Sequence, residues 1–249
     1  MSYFSFLELK LFNGRVWNVA KALIDPHGDL FALAMKQAKL KCEFTMSFSQ
    51  SGELRSRETK YQRQLMGCLA EIYSEEFLKE FLVENKLDKT YFIQRYDNVR
   101  TDGFRSAANE YDLKMIHFVS GKSYTIECRS SIAHNRSLIN AIEQFDIIGP
   151  YSSSAKGEEK YCSVYIRPLY EVIFPEQLHY NPDDFEKKIS MGAINLYIAG
   201  GCFRKEMMKD GYQKSMKQNN TNYRVVKLIN GFDSLHFKRE LNERISLLK

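Results

Sequence analysis

Residues 110–131, Glu-Tyr-Asp-Leu-Lys-Met-Ile-His-Phe-Val-Ser-Gly-Lys-Ser-Tyr-Thr-Ile-Glu-Cys-Arg-Ser-Ser, read as two strands joined by a tight turn at Ser120-Gly121. Side chains alternate faces along a strand, so Glu127 and Arg129 share one face while Ile126 and Cys128 take the other. A two-residue Ser-Gly hairpin loop would set Asp112 opposite Arg129 and Lys114 opposite Glu127. Opposed and diagonal residues on one face lie within roughly 5–8 Å. Two carboxylates and two cations would then crowd one patch of an otherwise apolar sheet. Burying such charges is costly unless they are paired or bind a metal. The patch therefore reads as a candidate site.

An acidic residue on one strand, a gap, and then an acid-x-cation triplet on the next resembles the signature of the PD-(D/E)XK nuclease superfamily. Here the first acid stands in Tyr111-Asp112 where the family has Pro-Asp, and Arg129 replaces the terminal Lys. The run Glu127 to Ser131, followed by Phe145-Asp146-Ile147-Ile148-Gly149-Pro150-Tyr151, also resembles a group of uncharacterised bacterial and phage nucleases. The likeness covers about residues 55–175. It implies an α/β, restriction-endonuclease-like core: a mixed central sheet flanked by helices. It further implies a Mg²⁺-dependent DNA endonuclease (Mn²⁺ could substitute), in a restriction, defence or mobile-element setting.

Composition permits that reading without demanding it. Of 249 residues, 44% are hydrophobic, ample for a core, and the net charge of +5 is a mild basic excess compatible with phosphate binding. No apolar run approaches the ~18–20 residues of a membrane span, and the first residues do not resemble a secretion signal. The five cysteines are odd in number and scattered without a C-x-x-C pair, which favours reduced thiols in a cytoplasmic protein and argues against a zinc site. Cys128 reads as a core residue.

The chain is expected to form a single α/β domain with its core at about 53–175, an N-terminal extension 1–52 and a C-terminal α/β extension 176–249. Helical periodicity covers 16–24 and 28–40, and Lys41–Ser49 alternates like a strand. A long helix follows from about Glu53 to Glu84, with Leu65, Leu69, Ile72, Phe77 and Leu78 inward. Tyr91–Tyr96 reads as a strand, Ser137–Phe145 as a helix and Gly149–Lys160 as an exposed loop. Tyr161–Val172 reads as one strand, with Pro168 weighing against pairing beyond it. Further on come a helix near 183–190, a strand at 193–199, a turn at Gly200-Gly201, a helix at 204–210, a strand at 223–229 and a last helix from Ser234.

The candidate metal ligands are Asp112, Glu127 and Glu71. Mg²⁺ takes hard oxygen donors and is held by one or two carboxylates plus water and phosphate. Glu71 is the helix carboxylate of choice because it borders the apolar stripe of Leu69 and Ile72, with Gly67 a turn earlier allowing close approach to the sheet. Glu58 competes with it, and Glu110 could replace Asp112 if the loop is longer. Arg129 can clamp a phosphate but cannot carry a proton near neutral pH. Lys114 could supply an ammonium from the neighbouring strand. Arg55, Arg57, Lys60 and Arg63, with Arg100 and Arg105, are candidate phosphate contacts. Gln144 is a weaker supporting candidate. Three readings follow: a DNA endonuclease, acting on duplex DNA and as a homodimer if both strands are cut; a non-catalytic nucleic-acid-binding module; or an interaction protein with a charged surface ladder.

Overall fold

The computed structural model describes residues 2–45, 54–105, 111–134, 136–153, 157–173, 181–216 and 221–246. The chain opens with the hairpin β1 (Phe4–Lys10) and β2 (Val16–Ala22), then helices α1 (Asp29–Phe44) and α2 (Arg57–Glu84). Strand β3 (Tyr91–Arg95) and the single turn α3 (Tyr96–Val99) lead to the hairpin β4 (Leu113–His117) and β5 (Ser123–Cys128). Next come β6 (Ser131–Ala133), α4 (Leu138–Gln144), β7 (Asp146–Ser153), β8 (Gly157–Glu158) and β9 (Val164–Val172). The remainder is α5 (Phe185–Ser190), β10 (Ile194–Phe203), α6 (Arg204–Lys209), β11 (Tyr212–Met216), β12 (Thr221–Lys227) and α7 (Ser234–Ser246).

The main sheet runs β1-β2-β10-β9-β5-β4-β3, with β6 also on β9. It is mixed: β5 and β6 lie parallel to β9, and the other pairs are antiparallel. Residues 4–22 and 194–203 thus supply strands to the same sheet as the central hairpin. A second sheet, β11-β12-β7-β8, packs nearby. Strand β9 is nearly all buried because both faces of the main sheet are covered, as its unbroken apolar run requires. One core unites that sheet with α1, α2, α5 and α7. A second core, on the other face, joins it to α4, α6, β7 and β12.

Helix α2 starts at Arg57, later than the expected Glu53, and runs to Glu84 as expected. Ser56 caps it by accepting the Thr59 N–H, and Leu65, Leu69, Ile72, Phe77 and Leu78 are all buried on its inward face. Four sequence expectations give way to tertiary context. Val16–Ala22 is strand β2, held between β1 and β10. Lys41–Phe44 is the last turn of α1, and residues 46–49 lie outside the described residues. Much of the expected exposed loop 149–160 is strand, with Gly149 and Pro150 buried. Gly200-Gly201 is no turn but an irregularity inside β10. There a Cβ on Gly200 would stand 2.1 Å from the Phe232 carbonyl, and one on Gly201 2.3 Å from that of Tyr165.

Candidate active site

The hairpin register decides which charges meet. The His117 N–H donates to the Lys122 carbonyl at 2.9 Å, and the Gly121 N–H to the His117 carbonyl at 3.0 Å. Residues 118–121 therefore form the loop, and Gly121 takes the left-handed φ of 66° that a glycine adopts without strain. Leu113 faces Ile126 and Lys114 faces Thr125, a slip of two residues from the expected register. A two-residue slip keeps every side chain on its face but changes its partner. The expected pairs Asp112–Arg129 and Lys114–Glu127 are not the cross-strand partners. Lys114 instead sets its ammonium over the Tyr111 ring, 4.1 Å from its centre.

Asp112 sits one residue before β4, where strand alternation breaks. Its N–H donates to the Ile126 carbonyl at 3.0 Å although Leu113 already pairs with Ile126, so two residues oppose one. Its Oδ2 accepts the Cys128 N–H at 2.7 Å, tying it to the end of β5. Burial, then the neighbouring Glu127 carboxylate, push the Asp112 carboxyl up to about 7, against the pull of that N–H, Arg129 and Lys41. Cys128 itself is buried in the core shared with Leu113 and Met115.

Two ion clusters flank Asp112. On the helical side, Lys41 donates to Glu71 at 3.2 Å and lies 2.5 Å from Asp97 Oδ2. Burial raises the Glu71 carboxyl to about 7; Lys41 opposes the rise, and Asp112 and Asp97 add to it. On the strand side, Arg129 Nε lies 2.6 Å from Glu127 and its Nη2 2.7 Å from Glu159, with the guanidinium 4.1 Å above the Tyr151 ring. Burial and Glu159 raise the Glu127 carboxyl, which Arg129 pulls down. The three expected carboxylates, Glu71, Asp112 and Glu127, thus feel one another. Among the described residues, however, no three His, Cys, Asp or Glu side chains converge closely enough to hold a metal ion. Asp112 and Glu127 are hard oxygen donors, the type that Mg²⁺ takes alongside water and phosphate.

Pro168 explains how Arg129 leaves the sheet. β5 pairs with β9 at Ile126–Cys128, and β6 pairs with it at Ser131–Ala133. The gap between them lies beside Arg167 and Pro168, and proline has no N–H for a ladder. The buried Arg167 guanidinium fills the gap, donating to the Arg129 carbonyl and, at 2.8 Å, to Ser131 Oγ. Burial lowers its pKa to about 10.

The remaining candidates separate. Glu58 is exposed in the first turn of α2 and accepts from Gln62, away from the cluster, and Glu110 lies outside the described residues. A Cβ at Gly67 would meet nothing within 4 Å, so that glycine is not what brings Glu71 to the sheet. Arg100 is not open to phosphate: its side chain is 6% exposed and pairs with Asp97 and Asp102. Arg57, Arg63 and Arg105 are exposed, and Arg55 and Lys60 half-buried. Gln144 accepts from Arg136. Lys41, Asp97, Glu159, Tyr151 and Arg167 were not expected. Lys41 was hidden by reading its segment as a strand, and Glu159 and Tyr151 by reading theirs as an exposed loop.

The raised carboxyls make a stability prediction. Asp112 and Glu71 hold protons more tightly folded than unfolded. Their stabilisation is therefore fully present below the unfolded range near ~4 and is lost as pH rises through about 7. The melting temperature should fall between about pH 5 and pH 8 for this reason. Asp112→Asn, which cannot ionise, should flatten that fall and raise Tm near pH 8 by about 2–4 °C per kcal/mol of relieved repulsion. Parallel curves for the two proteins in thermal melts would show that Asp112 does not carry this charge burden.

No family model matches the chain, and no solved structure does. The chain is similar to the uncharacterized protein MJECS01 of Methanocaldococcus jannaschii, 27% identical over 212 residues that cover 78% of this chain and 74% of that one. Among the described residues, no helix is long and apolar enough to cross a membrane.

Proposed function

We propose that the protein is a divalent-metal-dependent DNA endonuclease with a restriction-endonuclease-like core, suited to a restriction or mobile-element defence role. The observation that carries the reading is a pair of half-buried carboxyls, Asp112, which accepts the Cys128 N–H, and Glu127, which pairs with Arg129. It lies at the end of a central hairpin, beside a clamped arginine, with a helix carboxylate behind it. Carboxyls raised in this way cluster at functional sites. Asp112 and Glu127 would hold Mg²⁺, which when bound lowers the pKa of its water and stabilises charge on the phosphate oxygens. Glu71 supports Asp112 from α2. Arg129 has five donors, so Glu127 and Glu159 do not exhaust it, and its fixed charge can face a phosphate oxygen. Arg55, Arg57, Lys60, Arg63 and Arg105 are the proposed backbone contacts.

A second reading has its own observation. The acids are engaged by Lys41 and Arg129, and no three ligands converge among the described residues, as a non-catalytic DNA-binding module of the same fold would have it. Supercoiled plasmid incubated with the protein in Mg²⁺ or Mn²⁺, with EDTA as control, separates the two. Nicked or linear products that need the metal support the endonuclease. Retarded but uncut plasmid supports the binding module, and neither effect removes both readings.

A further inference from the structure

Strand β1 ends the main sheet, and its outer side has no partner among the described residues. Its ladder to β2 runs over seven residues without a bulge or a proline, the devices that commonly blunt an exposed edge. The Leu23 N–H bonds to the Tyr3 carbonyl and the Leu11 N–H to that of Arg15, so the odd-numbered backbone groups of β1 face β2. In an antiparallel ladder the even-numbered ones then face outward. Two of these are already occupied at the ends. Phe4 exchanges hydrogen bonds with Ser2 Oγ, and the Phe12 N–H donates to Glu143. Between them Phe6, Glu8 and Lys10 present, among the described residues, an open window of backbone donors and acceptors. Phe6 is 39% exposed, Leu7 37% and Phe12 71%, so apolar surface surrounds that window.

The charges choose the occupant. A second β1 meeting the window antiparallel, with outward groups matched, has three compact registers. Centring on Glu8 uses all the open groups but sets Glu8 against Glu8 of the other copy, and like charges directly opposed are unfavourable. Centring on Leu7 sets Phe6 against Glu8. Centring on Leu9 sets Glu8 against Lys10 twice, once on each side of the dyad, with Leu9 facing its own copy and Leu7 facing Leu11. We infer that β1 is the interface of a two-fold homodimer, a second copy of this chain continuing the sheet with Glu8 opposite Lys10. The pairing is isologous, so it closes as a dimer and does not propagate. It stands apart from the proposed reaction, because no residue of the carboxyl cluster lies on β1.

Sedimentation velocity at micromolar concentration tests it. The wild type is expected to sediment at twice the mass of one chain. Glu8→Lys and Lys10→Glu should each weaken association by at least about 10-fold, since each turns two attractions into repulsions. The double variant should regain the dimer, and so should a mixture of the two single variants, in which every opposed pair is again of opposite sign. Circular dichroism checks that these exposed substitutions leave the fold intact. A monomeric wild type overturns the inference. So does a dimer indifferent to the single changes, or one that the double variant and the mixture fail to restore. Cleavage by a monomeric protein would leave the endonuclease reading standing while removing this one.

Discussion

Asp112→Ala and Glu127→Ala are each expected to bring metal-dependent plasmid cleavage down to the EDTA background, a loss on the order of 10³-fold or more, with DNA affinity held or raised. The loss follows from the metal-holding role proposed for the two carboxyls, since a bound ion supplies several kcal/mol of transition-state stabilisation, at 1.36 kcal/mol per tenfold. The retained affinity follows from charge, since each change removes a negative group that repels phosphate. Asp112→Ala also deletes the acceptor for the Cys128 N–H, so a melting curve must accompany the assay. Asp112→Asn is the paired control: it keeps the shape and an acceptor oxygen but not the charge. A folded variant of either residue that cleaves at near the wild-type rate removes it from the metal site.

The second large effect belongs to Arg129. Single-turnover cleavage at saturating Mg²⁺ should fall about 10²-fold or more in Arg129→Ala, as removal of one preorganised donor commonly does. Arg129→Lys should keep measurable activity, because an ammonium still reaches a phosphate oxygen while losing the two-pronged geometry that now spans Glu127 and Glu159. Lys114→Ala in the same series should stay within a few-fold of wild type. Its ammonium rests over Tyr111 and its strand partner is Thr125, so the proposed chemistry gives it no part. Full activity in Arg129→Ala with a dead Lys114→Ala would transfer the role to β4. Full activity in both would end the proposed chemistry.

What was legible in the sequence was local. The alternation of β4 and β5 set the faces, and the stripe of Leu65, Leu69 and Ile72 set the inward side of α2, leaving Glu71 at its border. What was hidden depended on partners far along the chain. Val16–Ala22 has apolar residues on both faces because both are buried: Trp17 and Val19 in one core, Ala20 and Ala22 in the other. A short apolar run of that kind cannot be told from a helix by period alone. The loop of the central hairpin proved longer than Ser120-Gly121, and that difference moved Asp112 from opposite Arg129 to opposite Ile126, with its carboxylate on the Cys128 N–H. The Ser-rich run before Glu159 looked like an exposed loop. Pairing of β7 with β12 made much of it strand and brought Tyr151 and Glu159 to Arg129. No local pattern marks Lys41, whose partners lie on α2 and α3.

Mn²⁺ binding, followed by electron paramagnetic resonance in the absence of DNA, bears most directly on the proposed carboxyl site. The wild type should take up the ion with an affinity that rises as pH passes through about 7, where Asp112 gives up its proton. Asp112→Ala and Glu127→Ala should each abolish the uptake, and Glu71→Gln should weaken it. Crystals soaked in Mn²⁺ should then show one anomalous peak between the Asp112 and Glu127 carboxylates. Equal Mn²⁺ uptake by the wild type and the Asp112→Ala and Glu127→Ala variants, or a peak elsewhere in the molecule, would contradict the metal site and with it the endonuclease.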